Sequence, residues 1–305
     1  MSSYSGWRLP EAAECEVDEP VVDEPVVLTT REEIAERLRQ TFASRGYEPP
    51  VLPRIALELM KLSRQPKVPL HQLEQILVQD PTLTGQILKC CNRPRFGARA
   101  PIRSVRAALM RLGIPEVCNQ VLRISMKSRV FRAPGWEGEV DAVIRHSEAV
   151  ATYASAVARL ADQDAPYAYL CGLMHDLGLI AALIALADQH AGARPDLELA
   201  WPALLEVHEG ATRLVAEAWE LPPELVDVVA DHHQPDLAFV GERGALIAGL
   251  VVAELLAQQE GAGLNVPGAS DFAAGELLVR RACLRLDLQG KLPQVVKAAK
   301  ATAGD

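Results

Sequence analysis

Residues 172–178 read Gly-Leu-Met-His-Asp-Leu-Gly, and this stretch with its surroundings decides the fold class. From 166 to 187 the chain is rich in alanine and leucine, which favour helix over strand. We predict a helix here that is interrupted at Gly178 and carries His175 and Asp176. Imidazole and carboxylate side chains hold divalent transition metals, so the adjacent pair marks a candidate metal site.

Further histidines and one acid lie outward from this pair, each on another predicted helical segment. Their intervals of about 20 to 35 residues would let a helical bundle bring them to one point. The candidate metal ligands are His146, His175, Asp176, His208, His232, His233 and Glu254. An alternative stays open, in which the site is vestigial and its imidazoles bond one another and buried carboxylates. His71 and His190 are interpreted as ordinary core or surface residues.

The composition predicts a helical core. Of the 305 residues, 49% are apolar, 23% are charged and only 5% are aromatic. No stretch alternates as a strand would, so we expect an all-α protein. No apolar run reaches the ~18 residues that cross a bilayer and no secretory signal is visible, so we expect no membrane partner. The six cysteines form no C-x-x-C pair, which predicts reduced thiols in the cytoplasm.

A basic segment runs from Gln86 to Arg132, where eleven bases accompany a single acid, Glu116. A nucleotide, a nucleic acid, an acidic partner or the acidic N-terminus could neutralise it. Only Phe96 and Phe131 are aromatic here, so a specific nucleic-acid partner is not expected. The alternative is that the bases pair with acids of the fold or with solvent. The candidate anion-binding residues are Arg93, Arg95, Arg99, Arg103 and Arg106.

Six spaced motifs strongly resemble the bacterial HDOD family, the output domains related to the HD metal-dependent hydrolases. In chain order they are Leu52-Pro53, residues 79–84 (QDPTLT), 88–92 (LKCCN), 108–113 (ALMRLG), 172–178 (GLMHDLG) and 232–235 (HHQP). The resemblance covers roughly residues 45–260. It implies an all-α fold, in which an N-terminal helical lobe packs on an HD-like helical bundle. It also implies a signalling or regulatory role, commonly without demonstrated catalysis.

Four regions follow from this organisation. Residues 1–29 are predicted to be a disordered acidic tail, which holds most of the net charge of −9. Residues 30–140 form the N-terminal lobe and 141–262 the HD-like bundle. Residues 263–305 form a C-terminal helical extension, which either covers the body or pairs with a second copy; the oligomeric state stays open.

The histidine order also resembles that of the HD-GYP phosphodiesterases, which hydrolyse cyclic di-GMP at a centre of two or three metals. Three departures separate this chain from them. Leu179 replaces a lysine that contacts substrate phosphate, Glu254 replaces the closing aspartate, and His233 is followed by Gln234 where a Gly-Tyr-Pro segment is expected. The candidate metal ligands therefore match the HD-GYP pattern more closely than the residues that would contact substrate do.

The expected cofactor is one or two divalent ions of iron, manganese, zinc or nickel. In an occupied site Asp176 would bridge the ions, with His146 and His175 on one ion and the later histidines on the other. A water between the ions would become a nucleophile toward a phosphoester, with Asp176 as the catalytic candidate. We expect instead a regulatory protein with a signalling protein partner or a bound nucleotide or cyclic dinucleotide, and little or no turnover. The alternative is a metal-dependent phosphohydrolase acting on a nucleotide or cyclic dinucleotide.

Overall fold

The computed structural model describes residues 30–63, 68–93, 96, 101–127, 131–189, 194–234, 241–264 and 276–303. Across these ranges the chain forms fourteen α-helices and no strand, which confirms the predicted all-α class. The helices are α1 Arg31–Ala43, α2 Arg54–Ser63, α3 Leu70–Leu77, α4 Pro81–Cys91, α5 Val105–Leu112, α6 Ile114–Met126, α7 Glu137–Leu160, α8 Ala165–Met174, α9 Leu177–Gln189, α10 Leu197–Ala218, α11 Pro223–Ala230, α12 Gly241–Gln259, α13 Glu276–Arg285 and α14 Leu292–Ala303. The predicted tail, residues 1–29, lies outside the described residues.

Short-range chemistry sets the starts of several helices. Thr30 caps α1 in a capping box, because its side chain accepts from Glu33 N at 3.2 Å while Glu33 accepts from Thr30 N at 3.1 Å. The Asp80 side chain accepts from Leu83 N at 2.9 Å and starts α4 just before Pro81. In both caps the partners are only three residues apart in the sequence.

One helix break differs from the prediction. The break expected at Gly178 falls instead at His175 and Asp176, which form a turn between α8 and α9. Gly178 lies inside α9, where it permits a close approach to α10 and does not end a helix.

The helices pack as a bundle with a lobe on one side. The long helix α7 packs on α8, α9 and α12, while α10 packs on α9 and α11. In the lobe, α6 packs on α2, α4 and α5, and it also contacts α8 of the bundle. The first helix, α1, crosses to the bundle and packs on α9 and α10, where Arg31 pairs with Glu206 at 2.7 Å. The C-terminal helices cover the bundle, with α13 on α12 and α14 on α7.

One stretch, Ala165–Gln189, is long and apolar enough to cross a membrane by composition, with a mean hydropathy of 2.0. It is not an uninterrupted apolar run of ~18 residues, because His175 and Asp176 lie in its middle. In the fold 83% of its most apolar window is buried, and the chain bends in its middle at His175. The apolar side chains of α8 and α9 therefore form the centre of the core.

All the described cysteines are free thiols, in agreement with the prediction. Cys90, Cys91, Cys171 and Cys283 are buried, and Cys118 is half-buried. Cys15 lies outside the described residues.

Candidate metal centre

Five elements place the seven predicted ligands around one buried point. His146 lies in the middle of α7, and His175 and Asp176 form the turn between α8 and α9. His208 lies on α10, His232 and His233 follow the end of α11, and Glu254 lies on α12. His175, Asp176, His208 and His232 are buried almost completely. His233 is the most exposed member, with 27% of its side-chain surface reached by solvent.

The turn that carries His175 and Asp176 is fixed from α10. The Thr212 hydroxyl accepts a hydrogen bond from Gly178 N at 2.9 Å and donates one to His175 O at 3.1 Å. A Cβ at Gly178 would lie 1.9 Å from His208 O, so only glycine allows α9 and α10 to approach this closely. This contact places the His175 turn directly beside His208.

Four imidazoles are oriented in the same way, by a bond between Nδ1 and a backbone carbonyl. The carbonyl partners are Ala262 for His146 at 2.9 Å, Gly172 for His175 at 2.8 Å, Leu205 for His208 at 2.5 Å and Val229 for His232 at 2.9 Å. In a neutral imidazole such a bond assigns the ring proton to Nδ1, which leaves the Nε2 lone pair free. All four rings therefore present Nε2 to the Asp176 carboxylate.

The Asp176 carboxylate stands between two groups of histidines. Its Oδ2 lies 3.2 Å from His175 Nε2 and 3.6 Å from His146 Nε2. Its Oδ1 lies 3.9 Å from His208 Nε2 and 3.8 Å from His232 Nε2. One ligand atom from each of His146, His175 and Asp176 falls within 4.8 Å of the others, and the same holds for His208, His232 and His233.

Glu254 closes the cluster from α12. Its Oε1 lies 3.5 Å from His175 Nε2 and 3.7 Å from His232 Nε2, and its Oε2 lies 3.8 Å from His233 Nδ1. His175, His232 and Glu254 form a third group whose ligand atoms lie within 4.8 Å of one another. A glutamate thus reaches the position where the resemblance expected an aspartate.

Several polar side-chain atoms in the cluster, all of them possible metal ligands, lack a hydrogen-bond partner. In the described part of the chain these buried atoms include the Nε2 of His175, His208 and His232 and the Oε1 of Glu254. Although His175 Nε2 is close to Asp176, it is not aligned for a hydrogen bond. Leaving buried polar atoms unpaired costs about 1–3 kcal/mol each. Imidazole nitrogens and carboxylate oxygens that converge without internal partners fit a divalent transition-metal ion.

The two central residues favour their charged forms. Burial alone would raise the pKa of Asp176, but the imidazole of His175, followed by His146 and His208, lowers it well below its ordinary value. Burial alone would lower the pKa of His175, but Asp176 and then Glu254 raise it to about 9. Without a metal, Asp176 and His175 therefore form a buried ion pair.

The surrounding groups favour their neutral forms. Burial raises the pKa of Glu254 to about 8. Burial and the neighbouring His208 lower the pKa of His233 to about 3, and burial with His233 lowers that of His232. Burial also lowers the pKa of His146, although Asp176 opposes it. Neutral imidazoles are the form that binds metal.

Two further residues support the cluster, and the sequence analysis did not single them out. Thr212 fixes the His175 turn as described above. Glu209 accepts from His233 N at 3.2 Å and from Gln234 Nε2 at 3.0 Å, so it holds the turn after α11. Their only sequence signal is position, because Glu209 and Thr212 lie one and four residues after His208 on the same helix.

Asp231 lies directly before His232 at the end of α11, and it forms salt bridges. Asp231 pairs with Arg213 at 2.9 Å and with Arg243, and Asp227 pairs with the same two arginines at 3.0 and 3.1 Å. This network joins α10, α11 and α12 beside the cluster.

The ion pairs of the basic segment do not involve residues of the metal cluster. Arg106 pairs with Glu74 at 3.0 Å, and Lys127 pairs with Glu148 at 2.7 Å. Arg93 and Arg103 form no ion pair with another described residue, while Arg95 and Arg99 lie outside the described residues. Anion binding by this segment stays a prediction.

Position 179, where the resemblance expected a phosphate-binding lysine, is part of the hydrophobic core. Leu179 is fully buried inside α9. Among the described residues, the ion pairs of Asp176 and Glu254 are all with histidines. A cation for substrate phosphate is therefore not supplied by this position.

A helical bundle that gathers histidines around an His-Asp turn defines a protein of the HD-like class. The HDOD domain family matches residues 50–235, which is more than half of the chain. The chain belongs to the HDOD family.

Solved structures share this fold at low sequence identity. A “Putative metal-dependent phosphohydrolase” from Shewanella amazonensis SB2B superposes with a TM-score of 0.65 at 18% identity, covering 89% of this chain and 98% of the other. An HDOD domain protein of unknown function from Geobacter sulfurreducens gives 0.59 at 19%, covering 88% and 98%. A “Putative signal transduction protein” from Marinobacter aquaeolei VT8 gives 0.56 at 18%, covering 88% and 66%. These similarities establish the fold.

A relative by sequence is an uncharacterized protein of Treponema pallidum (strain Nichols). It is 24% identical over 207 residues, which is 65% of this chain. The aligned part spans only 40% of that protein's length.

Proposed function

We propose that this chain is a metal-binding regulatory protein of the HDOD family, which acts through contacts with a signalling partner and has little or no turnover. One observation carries the metal assignment. The buried Nε2 atoms of His208 and His232 converge on carboxylate oxygens without hydrogen-bond partners in the described structure. A vestigial site would be expected to pair these atoms with one another, since unpaired buried polar atoms are costly.

The proposed ligands fall into two sets joined by a carboxylate. His146 and His175 would hold an ion with Asp176 Oδ2, and His208, His232 and His233 would hold a second. Asp176 Oδ1 faces the second set, so Asp176 would contribute to holding both ions. When bound, a divalent ion supplies Lewis acidity and lowers the pKa of a coordinated water.

The regulatory assignment depends on what surrounds the cluster. A phosphoryl-transfer site stabilises developing charge with cations placed at the substrate. Here Leu179 is buried in the core, and the carboxylates of the cluster pair only with histidines among the described residues. The proposal includes a cytoplasmic location, which the free thiols favour because disulfides are rare in reducing compartments.

Metal analysis of the full-length protein, purified without chelators, tests the proposal. We expect one or two equivalents of iron, manganese, zinc or nickel, and loss of at least one equivalent in His175→Ala and His208→Ala. His71→Ala is the matched control, because His71 is exposed on α3 and lies outside the cluster. A protein that binds none of these metals, even after incubation with them, would contradict the assignment.

A second function is favoured by the position of Asp176, whose two oxygens face different histidine sets as a bridging ligand would. This is metal-dependent hydrolysis of a nucleotide or cyclic dinucleotide. We expect the metal-loaded protein to hydrolyse bis(p-nitrophenyl) phosphate and cyclic di-GMP no faster than its Asp176→Asn variant. Turnover that Asp176→Asn abolishes, with metal retained, would replace the regulatory proposal by the enzymatic one.

A further inference from the structure

A cavity of about 170 Å³ opens where the lobe meets the bundle, away from the metal cluster. Its walls come from α2, α6, α8 and α11. A cavity of about 150 Å³ holds a benzene molecule, so this one has room for a single ring with a short substituent. Its lining includes the buried apolar residues Met60 and Leu225 and the half-buried Leu170.

Two residues of the cavity lining, Asn119 and Asp164, carry hydrogen-bond acceptors. Asn119 is 97% buried, and its Nδ2 donates to Pro166 O at 3.1 Å. Within the described structure no donor bonds its Oδ1, although Asn119 lines the cavity. Asp164 also lines the cavity, and one of its carboxylate oxygens accepts from Tyr167 N at 3.0 Å as the N-cap of α8. The second oxygen is left for another donor.

The charge around the cavity favours a cation. Asp164 is the charged residue of its described lining. Three helices, α6, α8 and α11, begin there, and each N-terminus contributes about half a positive charge. Asp164 is exposed and caps α8, while Glu116 and Glu224 lie in the first turns of α6 and α11, so each of these N-termini carries one acidic residue.

We propose that this cavity binds a small organic cation, namely an amine attached to one ring-sized apolar body. The ring would cover Met60 and Leu225, while the ammonium group would donate to Asp164 and to Asn119 Oδ1. The site is distinct from the metal cluster, and its existence does not depend on the proposed function.

Three probes of equal size test the charge preference on the full-length protein. They are benzylamine, benzyl alcohol and benzoate, whose binding is measured by calorimetry and ligand-observed NMR. We expect benzylamine to bind about tenfold or more tightly than benzoate, with benzyl alcohol between them. Absence of benzylamine binding below 10 mM, or benzoate binding as tightly, would overturn the proposal.

Two variants test the location. Asp164→Asn keeps an N-cap of equal quality but loses the charge, so benzylamine affinity should fall about fivefold. Asp80→Asn makes the same change at the N-cap of α4, outside the cavity, and should leave the affinity unchanged. Leu170→Trp should fill the cavity and abolish binding of all three probes. Full binding in both Asp164→Asn and Leu170→Trp would place the ligand elsewhere and refute the site.

A thiol provides an independent readout. Cys118 lines the cavity and is the half-buried one of the described cysteines. In a Cys15→Ser background, which removes a cysteine outside the described residues, benzylamine should slow alkylation of Cys118 by iodoacetamide at least twofold. An unchanged rate at saturating benzylamine would count against occupancy of this cavity.

Discussion

Glu254 is the residue whose protonation depends most directly on burial in the cluster. In the folded, metal-free protein its pKa is about 8, against an ordinary value of 4.5. An acid with a raised pKa contributes stability that is present below its unfolded value and is lost as pH rises toward the folded value. His175, with a pKa of about 9, adds to the same loss above its ordinary value of 6.5.

Glu254→Gln should therefore flatten the pH dependence of stability in the chelator-treated protein. Between pH 5 and 8 the wild-type free energy of unfolding should fall by about 1 kcal/mol per pH unit more steeply than that of the variant. Urea titrations at several pH values measure this difference. Glu217→Gln, at an exposed position of α10, is the control and should keep the wild-type slope. Equal slopes for wild type and Glu254→Gln would show that Glu254 is not held protonated.

Thr212 is a second single residue on which the cluster depends. Its hydroxyl forms hydrogen bonds with two buried backbone groups, Gly178 N and His175 O. Thr212→Val leaves Gly178 N and His175 O without their partner. We expect a loss of about 2 kcal/mol or more in the free energy of unfolding, with weaker metal binding. Thr212→Ser keeps the hydroxyl and should lose about 1 kcal/mol or less. If Thr212→Val were as stable as Thr212→Ser, the Thr212 hydroxyl would not be what stabilises the His175 turn.

At the scale of elements, the contact between α9 and α10 decides whether the cluster can form. A Cβ at Gly178 would meet His208 O at 1.9 Å and Thr212 N at 2.5 Å, and both are backbone atoms that cannot rotate away. Separating the two helices would move the His175 turn away from His208. The same helix α10 also carries Gly210, where a Cβ would meet nothing within 4 Å.

These two glycines give opposite expectations for the same substitution. Gly178→Ala should destabilise the protein by about 3 kcal/mol or more and weaken metal binding, since overpacking forces the helices apart. Gly210→Ala should stabilise it by about 0.5–1 kcal/mol, because alanine is the better helix former. Urea unfolding and a chelator competition for Zn²⁺ measure both effects. A tolerated Gly178→Ala would mean that the helices are not held at this distance.

At the scale of the whole molecule, two helices connect the cavity to the cluster. Helix α8 runs from Asp164 at the cavity to the His175 turn, a distance of about 15 Å for ten residues. Helix α11 begins at the cavity with Leu225 and ends beside His232. The lobe contributes α2 and α6 to the cavity walls, so a ligand there contacts both parts of the fold.

If the cluster binds metal as proposed, occupancy of the cavity should change its metal affinity. Saturating benzylamine should shift the dissociation constant for Zn²⁺ by twofold or more, and Zn²⁺ should shift that of benzylamine by the same factor. A chelator competition with and without benzylamine measures the first shift. Leu170→Trp, which blocks the cavity, should abolish it. If neither ligand changes the affinity of the protein for the other, the two sites are not coupled. That result would not contradict the existence of either site.

The local parts of this fold could be predicted because short-range chemistry determines them. The caps at Thr30 and Asp80 depend only on residues three positions away, so the local sequence is enough to indicate them. The break between α8 and α9 could not be placed correctly, since glycine propensity pointed to Gly178. The hydrogen bonds of Thr212, which lies 34 residues after Gly178 and 37 after His175, hold the turn at His175 and Asp176.

The all-α class, the HDOD family and the identities of the seven candidate ligands could be predicted from the amino-acid sequence, because helical periodicity and motif order are local properties of the chain. Which of their atoms meet depends on how the helices pack. The carbonyl bonds that turn each Nε2 inward, the two faces of Asp176 and the cavity beside Asn119 all join residues from different helices. Such contacts depend on how helices pack, and packing is fixed by side-chain volumes and backbone approach across the whole core.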